Sequence, residues 1–279
     1  MPLAVSPVLI TAQVQAALDE DVGSGDLTAQ LVPPRPARAV LKTREEGVLC
    51  GCAWFDEVFR QLAVGTRIRW QAQDGDRIAA GTVLCELEGP ARALLTGERT
   101  AINFLQTLSG TATHARRYAD AVAHTRAQVL DTRKTLPGLR LAQKYAVGCG
   151  GCGNHRIGLY DGVLIKENHI AAAGSIRAAL AHAAEIANGR MVEIEVETQA
   201  ELDEALDAGA VRILLDNFTL ADLEAAVRRT AGRALLEASG GITLANVARY
   251  AETGVDFLSV GEITKSLHAL DLSLRFALA

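Results

Sequence analysis

The 279-residue chain is 49% hydrophobic and 22% charged, an ordinary composition for a globular protein of one or two domains. Its formal charge of −5, from 28 basic and 33 acidic side chains, lacks the cationic surface by which proteins hold nucleic acid or anionic membranes. Aromatics are only 4%, so tight helix–strand packing is expected in the core rather than an aromatic-rich β-sandwich.

Residues 1–18 carry no Lys or Arg ahead of their apolar stretch, so no secretory leader is expected and the cytoplasm is the expected location. No run of about 18 apolar residues offers a membrane span. Val64–Glu88 alternates apolar positions around Asp-Gly and Ala-Gly turns and predicts hairpin-rich β structure. Thr96–His114 predicts a long helix, with a domain boundary near residue 112. The cysteines are Cys50, Cys52, Cys85, Cys149 and Cys152. Cys149-x-x-Cys152 has redox or zinc spacing, but without turn residues on both sides these read as small side chains in a glycine-rich turn.

The second half repeats a compact unit. Gln128–Asp131, Gly162–Lys166, Met191–Glu197, Val211–Asp216, Ala234–Ser239 and Val255–Val260 predict strands. Ser175–Ala187, Gln199–Ala208, Leu220–Ala231 and Leu244–Thr253 predict the helices between them. Thr198, Thr219 and Thr243 are placed to cap the last three, with Glu201 completing a capping box at Thr198. Gly209, Gly232 and Gly254 suit the left-handed position that ends each. Serial βα units predict a parallel barrel or a doubly wound sheet. The barrel is preferred, because no Gly-x-Gly-x-x-Gly turn follows any strand.

In such a barrel the chemistry sits where the strands end. Those ends carry Asp131-Thr-Arg-Lys134, Lys166-Glu-Asn-His169, Glu195 and Glu197, Asp216-Asn217, Ser239-Gly-Gly241 and Gly261-Glu262. Between the first two lies Asn154-His-Arg156. Over residues 131–169 the bases Arg133, Lys134, Arg140, Lys144, Arg156 and Lys166 outnumber the acids Asp131, Asp161 and Glu167. That stretch is +3 within a chain of −5, which points to a small polyanionic ligand gripped by guanidinium and ammonium groups. Strict alternation over Val192–Glu197 places Glu193, Glu195 and Glu197 on one face, facing a barrel lumen. With Asp216 they would be hard oxygen donors for Mg²⁺ or would stabilise a developing cation. Ser239-Gly-Gly241 opens a helix and offers backbone N–H groups to a phosphate, as does Gly261.

Taken in order, these residues resemble the quinolinate phosphoribosyltransferases over nearly the whole chain. The resemblance rests on Glu20–Thr28, Gly97–Asn103, Asp131–Thr135, Pro137–Arg140, Lys144–Val147, Asn154–Arg156, Leu164–Ile170, Glu195–Glu197, Leu215–Asn217 and Glu237–Ile242. It implies an α/β fold with an N-terminal α/β sandwich (1–112, rejoined by 268–279) and an incomplete, open parallel β/α barrel (113–267). It also implies a homodimer or larger assembly with shared sites. The implied reaction joins quinolinate to phosphoribosyl pyrophosphate with Mg²⁺, giving nicotinate mononucleotide, pyrophosphate and CO₂, a step of NAD biosynthesis.

By the same resemblance, Arg133, His155, Arg156 and Lys166 bind the pyridine dicarboxylate, joined by Arg99 from the neighbouring subunit. Lys134 and Lys166 reach phosphate oxygens, and Glu195 and Asp216 face the ribose hydroxyls and Mg²⁺. Ser239, Gly240, Gly241 and Gly261 hold the 5′-phosphate, and Thr132 also belongs to the substrate site. Lys134, Lys166, Glu195 and Asp216 are the implied catalytic set; no organic cofactor and no essential general base are implied. Two positions depart from the family pattern: Cys152 stands where a third glycine is usual, and Leu136 where a second threonine is common.

The residues leave two other enzymes open: a related phosphoribosyltransferase acting on a monocarboxylate such as nicotinate, and an aldolase-type barrel in which Lys166 forms a Schiff base. A biotinyl- or lipoyl-like carrier built on residues 73–88 is discounted, because the hairpin tip has no lysine to modify.

Overall fold

The structure is a computed structural model that describes residues 2–278; Met1 and Ala279, which end the two segments expected to form the first domain, lie outside the described residues. In chain order the first elements are α1 (Pro7–Val22), β1 (Pro36–Thr43), β2 (Gly47–Val48), α2 (Cys52–Leu62), β3 (Arg67–Trp70), β4 (Arg77–Ile78), β5 (Val83–Pro90) and α3 (Ala91–Val122). Then come β6 (Gln128–Leu130), α4 (Arg140–Cys149), β7 (Gly162–Ile165), α5 (Glu167–Ala173), α6 (Ile176–Ala187), β8 (Met191–Val196) and α7 (Gln199–Asp207). The last are β9 (Arg212–Asp216), α8 (Leu220–Thr230), β10 (Leu235–Ser239), α9 (Val247–Glu252), β11 (Phe257–Ser259), α10 (Glu262–Lys265) and β12 (Leu272–Leu278). They form two compact units. The first holds residues up to Arg116, Leu136–Gly151 and the chain from Ser266 onward; the second holds Arg117–Thr135 and Cys152–Lys265.

In the first unit β1 alternates, turning Ala37, Ala39, Leu41 and Thr43 inward. It sits inside a four-stranded sheet of order β12-β1-β5-β3, with β12 antiparallel to it so that Leu274 faces Leu41. The chain end therefore returns to the first unit. Trp54, Phe55 and Phe59 of α2 are fully buried there, each contributing roughly 1.5–3 kcal/mol of apolar burial. The expected hairpin over Val64–Glu88 is more elaborate: β3 pairs β5, while the intervening β4 leaves to pair with β2. The expected helix Thr96–His114 extends at both ends into the 32-residue α3.

The contact division differs from the expected 112/113 boundary and from the assignment of 113–267 to one body. Leu136–Gly151 belongs with the first unit because α4 buries Ala142, Ala146 and Cys149 in its core, and Tyr145 donates to Asp74 Oδ2 at 2.7 Å. The pair Cys149 and Cys152 is thereby split between the units.

The second unit is a parallel six-stranded sheet of order β6-β11-β10-β9-β8-β7. Consecutive strands β6 and β7 lie at its opposite edges, so the barrel is open. Ile194, Val196, Ile213, Leu215, Leu236 and Ala238 form its buried outer face, and Leu202 and Ala205 of α7 and Leu223 and Ala226 of α8 are buried too. The alternate positions face inward: Glu193 and Glu195, Arg212 and Asp216, Glu237 and Ser239. Thr198 accepts from the Glu201 N–H in a full capping box, and Thr219 accepts from the Asp222 N–H at 3.2 Å. Thr243 does not cap its helix. Residues 243–246 form a turn, the Thr243 N–H donates to Asn246 Oδ1 at 2.8 Å, and α9 begins after Asn246.

Candidate active site

Parallel strands all end on one side, which gathers the expected residues of the second unit. Beyond β6, Thr132 Oγ1 accepts from the Lys134 N–H at 3.1 Å, and the Lys134 carbonyl accepts from Thr264 at 2.9 Å. This tethers the Lys134 backbone beside Gly261: a Cβ on that glycine would lie 2.9 Å from Lys134 Cδ. Asp131, fully buried, accepts from Asn154 Nδ2 at 2.7 Å and from the His155 N–H at 3.0 Å. The loop carrying Asn154-His-Arg156 is thus moored to the end of β6.

Arg133, Arg156, Lys166 and His169 line one cavity of about 680 Å³ whose remaining wall is largely apolar, including Leu159, Val163 and Ala173. Arg156 NH1 donates to the Gly162 carbonyl at 3.0 Å. Burial first, and the like charge of Arg133 second, lower the pKa of the Arg156 guanidinium. Two guanidiniums held this close are suited to an anion that neutralises both. Lys166 Nζ lies 2.6 Å from Glu195 Oε2. Asp216 pairs in register with Ser239, and its Oδ2 accepts from Asn217 Nδ2 at 2.7 Å. Gly240 has φ +99, and a Cβ there would fall 2.1 Å from Asn217 Oδ1. Only glycine fits so close to that amide.

The family model described as quinolinate phosphoribosyl transferase, C-terminal domain, matches residues 111–275, and the corresponding N-terminal domain matches residues 26–109. The chain belongs to the quinolinate phosphoribosyltransferase family. It is 43% identical over 263 residues to the probable nicotinate-nucleotide pyrophosphorylase (carboxylating) of Bacillus subtilis, covering 93% of this chain and 91% of that one. To the enzyme of that name from Mycobacterium leprae it is 44% identical over 271 residues, covering 94% and 95%. The structure of the nicotinate-nucleotide pyrophosphorylase from Francisella tularensis superposes with a TM-score of 0.97 at 45% identity, over 98% of each chain.

Beneath the strand ends of this family member lies a polar layer that the sequence reading missed. Arg212 Nε donates to Glu193 Oε1 at 2.9 Å, and its NH2 donates to Glu237 Oε2. The same guanidinium rests 4.3 Å over the Phe257 ring, and Ser259 donates to Glu237 Oε1. His155 Nε2 is 2.8 Å from Glu193 Oε2 and 3.4 Å from Glu237 Oε1. The signal was present: Arg212 and Glu237 are lone charges inside apolar strands, at inward parity.

Burial pushes the Glu193 carboxyl upward, but the His155 hydrogen bond and the Arg212 charge outweigh it and hold the group below its usual value. For Glu237 burial leads and the Glu193 charge adds to it, so that carboxyl is pushed up. The ligand atoms of His155, Glu193 and Glu237 lie within 4.8 Å of one another, a spacing that could hold a metal ion. The Arg212 guanidinium already supplies the cation there, bonded to both carboxylates.

Glu195 and Asp216 offer hard carboxylate oxygens on adjacent strands and could hold a divalent cation. Glu262, also read at a strand end, instead accepts from the Tyr118 hydroxyl. Glu197 is exposed beyond β8. Arg99 is exposed on α3 in the first unit.

Proposed function

We propose that the chain transfers the phosphoribosyl group of phosphoribosyl pyrophosphate to quinolinate, with loss of CO₂, giving nicotinate mononucleotide and pyrophosphate. The observation that carries this reading is the placement of Arg133, Arg156 and Lys166 on one cavity along β7, within a family whose named members perform this step.

Arg133 and Arg156 grip the two carboxylates and hold the pyridine nitrogen toward C1′ of the ribose. No helix opens at Ser239–Gly241, contrary to expectation, since α9 starts only after Asn246; the backbone N–H groups of Gly240 and Gly241, with Ser239 and Gly261, receive the 5′-phosphate as a loop. As the C1′–O bond to pyrophosphate breaks, positive charge develops on the sugar; Glu195 and Asp216 stabilise it while Lys134 and Lys166 neutralise the departing oxygens. The nitrogen lone pair forms the new C1′–N bond, and the ring becomes a pyridinium. That cation draws the electron pair left on C2 when the 2-carboxylate departs as CO₂, and C2 then takes a proton from water. No general base is required.

Glu195 and Asp216 would hold Mg²⁺ together with the substrate, and the ion would supply positive charge against the pyrophosphate. Arg99 completes the site from a neighbouring subunit of a homodimer or larger assembly, and the cytoplasm is the working compartment. No helix among the described residues is long and apolar enough to cross a membrane.

Nicotinate mononucleotide formation from quinolinate, with and without Mg²⁺ and with CO₂ release measured, tests the reading. Turnover of nicotinate without quinolinate activity would reassign the substrate. Inactive Arg99→Ala and Arg156→Ala proteins, mixed, should regain partial activity through hybrid assemblies; no recovery would count against a shared site.

A further inference from the structure

His155 was read from the sequence among the residues that contact quinolinate. Its side chain is only 8% exposed, and both ring nitrogens are engaged within the second unit. Nδ1 accepts the backbone N–H of Arg156 at 2.7 Å, and Nε2 lies 2.8 Å from Glu193 Oε2. An acceptor at Nδ1 leaves the ring proton on Nε2, where it is donated to the carboxylate. These two contacts correspond to the Nε2–H tautomer. An imidazolium would set an N–H at Nδ1 against the N–H of Arg156.

Glu193 from β8 and Glu237 from β10 approach the ring, and behind them Arg212 of β9 and Ser259 of β11 bind these carboxylates, while Asp131 at the end of β6 takes the His155 backbone N–H. Arg212 binds one oxygen of each glutamate, so Glu193 cannot swing away without abandoning a guanidinium. The acceptor under His155 is fixed from two sides, and Asp131 fixes the backbone above it. What this rigid stack delivers is one oriented lone pair, aimed at the peptide N–H that begins Arg156.

We propose that His155 is a positioning residue: anchored on Glu193, it fixes the Arg156 backbone through Nδ1 and so sets where the Arg156 guanidinium meets a substrate carboxylate. This rests on the assignment of Arg156 to quinolinate made above.

Two isosteres separate positioning from direct contact. His155→Asn keeps an acceptor, Oδ1, where Nδ1 stands; His155→Gln keeps a donor toward Glu193 but removes that acceptor. His155→Asn should retain a quinolinate KM within about threefold of wild type. His155→Gln should raise it on the order of tenfold or more, with the KM for phosphoribosyl pyrophosphate unchanged in both. Equal losses, or the reverse order, would overturn the proposal.

A second readout needs no activity and no folded variant. In ¹⁵N-histidine-labelled wild-type protein, one ring should show an unprotonated, hydrogen-bonded Nδ1 and a protonated Nε2. Absence of any such ring among the six histidines would overturn it. If wild type makes no nicotinate mononucleotide from quinolinate, the functional reading fails by itself and the tautomer measurement stands apart from it.

Discussion

Lys166, the residue after β7, reaches Glu195 on β8 and holds its ammonium 2.6 Å from a carboxylate oxygen. About half of the lysine side chain is exposed while the glutamate is nearly covered, so the pair is open to substrate from the lysine side. An imine-forming lysine needs an unpaired, neutral amine, whereas a phosphate- or carboxylate-binding lysine needs this charged one.

Lys166→Ala should lower kcat/KM for nicotinate mononucleotide formation by about 10²–10³-fold, the usual loss on removing a group that meets transition-state charge. Steady-state kinetics in both substrates would measure it. Borohydride reduction with a carbonyl compound should leave Lys166 unmodified by mass spectrometry; a trapped adduct would restore the aldolase-type alternative.

Three glycines should separate by mechanism. At Gly240 an added Cβ meets the Asn217 side chain and backbone at positive φ, so Gly240→Ala should destabilise by about 3 kcal/mol or more. Gly241, at φ +63 with open space around it, should cost about 1–2 kcal/mol for the left-handed backbone alone. At Gly261 the obstacle is the flexible Lys134 side chain, so Gly261→Ala should leave stability within about 0.5 kcal/mol. It should instead raise the KM for phosphoribosyl pyrophosphate. Urea unfolding with paired kinetics tests the order.

The two buried glutamates should respond oppositely to neutralisation. Glu193→Gln removes the charge that Arg212 requires and should cost about 3–5 kcal/mol near neutral pH. Glu237→Gln keeps an amide oxygen for Ser259 at a carboxyl whose charged form burial disfavours, and should cost less, about 1 kcal/mol. The pH signs differ too. Glu193, held below its usual value, contributes stability above the unfolded carboxyl value and loses it as pH falls. Glu237, held above, contributes at low pH and loses its contribution as pH rises. The gap between wild type and Glu237→Gln should therefore shrink with rising pH while that to Glu193→Gln grows; a common trend would contradict the assignment.

Thr198→Ala should destabilise by about 1 kcal/mol, because it removes the acceptor for the Glu201 N–H. Thr243→Ala should stay within about 0.5 kcal/mol, since Thr243 caps no helix. Chemical denaturation of both variants checks the contrast.

What the sequence alone determined was whatever depends on a few neighbouring residues. Capping at Thr198 and Thr219 is decided within one helical turn, and strand parity at Glu193 and Glu195 by alternation alone. The grouping of Arg133, Arg156 and Lys166 came from the family resemblance, since Arg156 lies in a loop before β7 rather than at a strand end. What only the tertiary structure decided involves partners far apart in the chain. Leu136–Gly151 looks like part of a barrel loop, yet α4 joins the first unit because its Ala142, Ala146 and Cys149 face finds an apolar core there. Arg212 and Glu237 stand alone in their strands, and nothing local says they will be neutralised. Only the sheet order, β9 between β8 and β10, brings the guanidinium between two carboxylates. A buried charge is tolerable only where another strand supplies its counter-charge, and that supply is a property of the sheet.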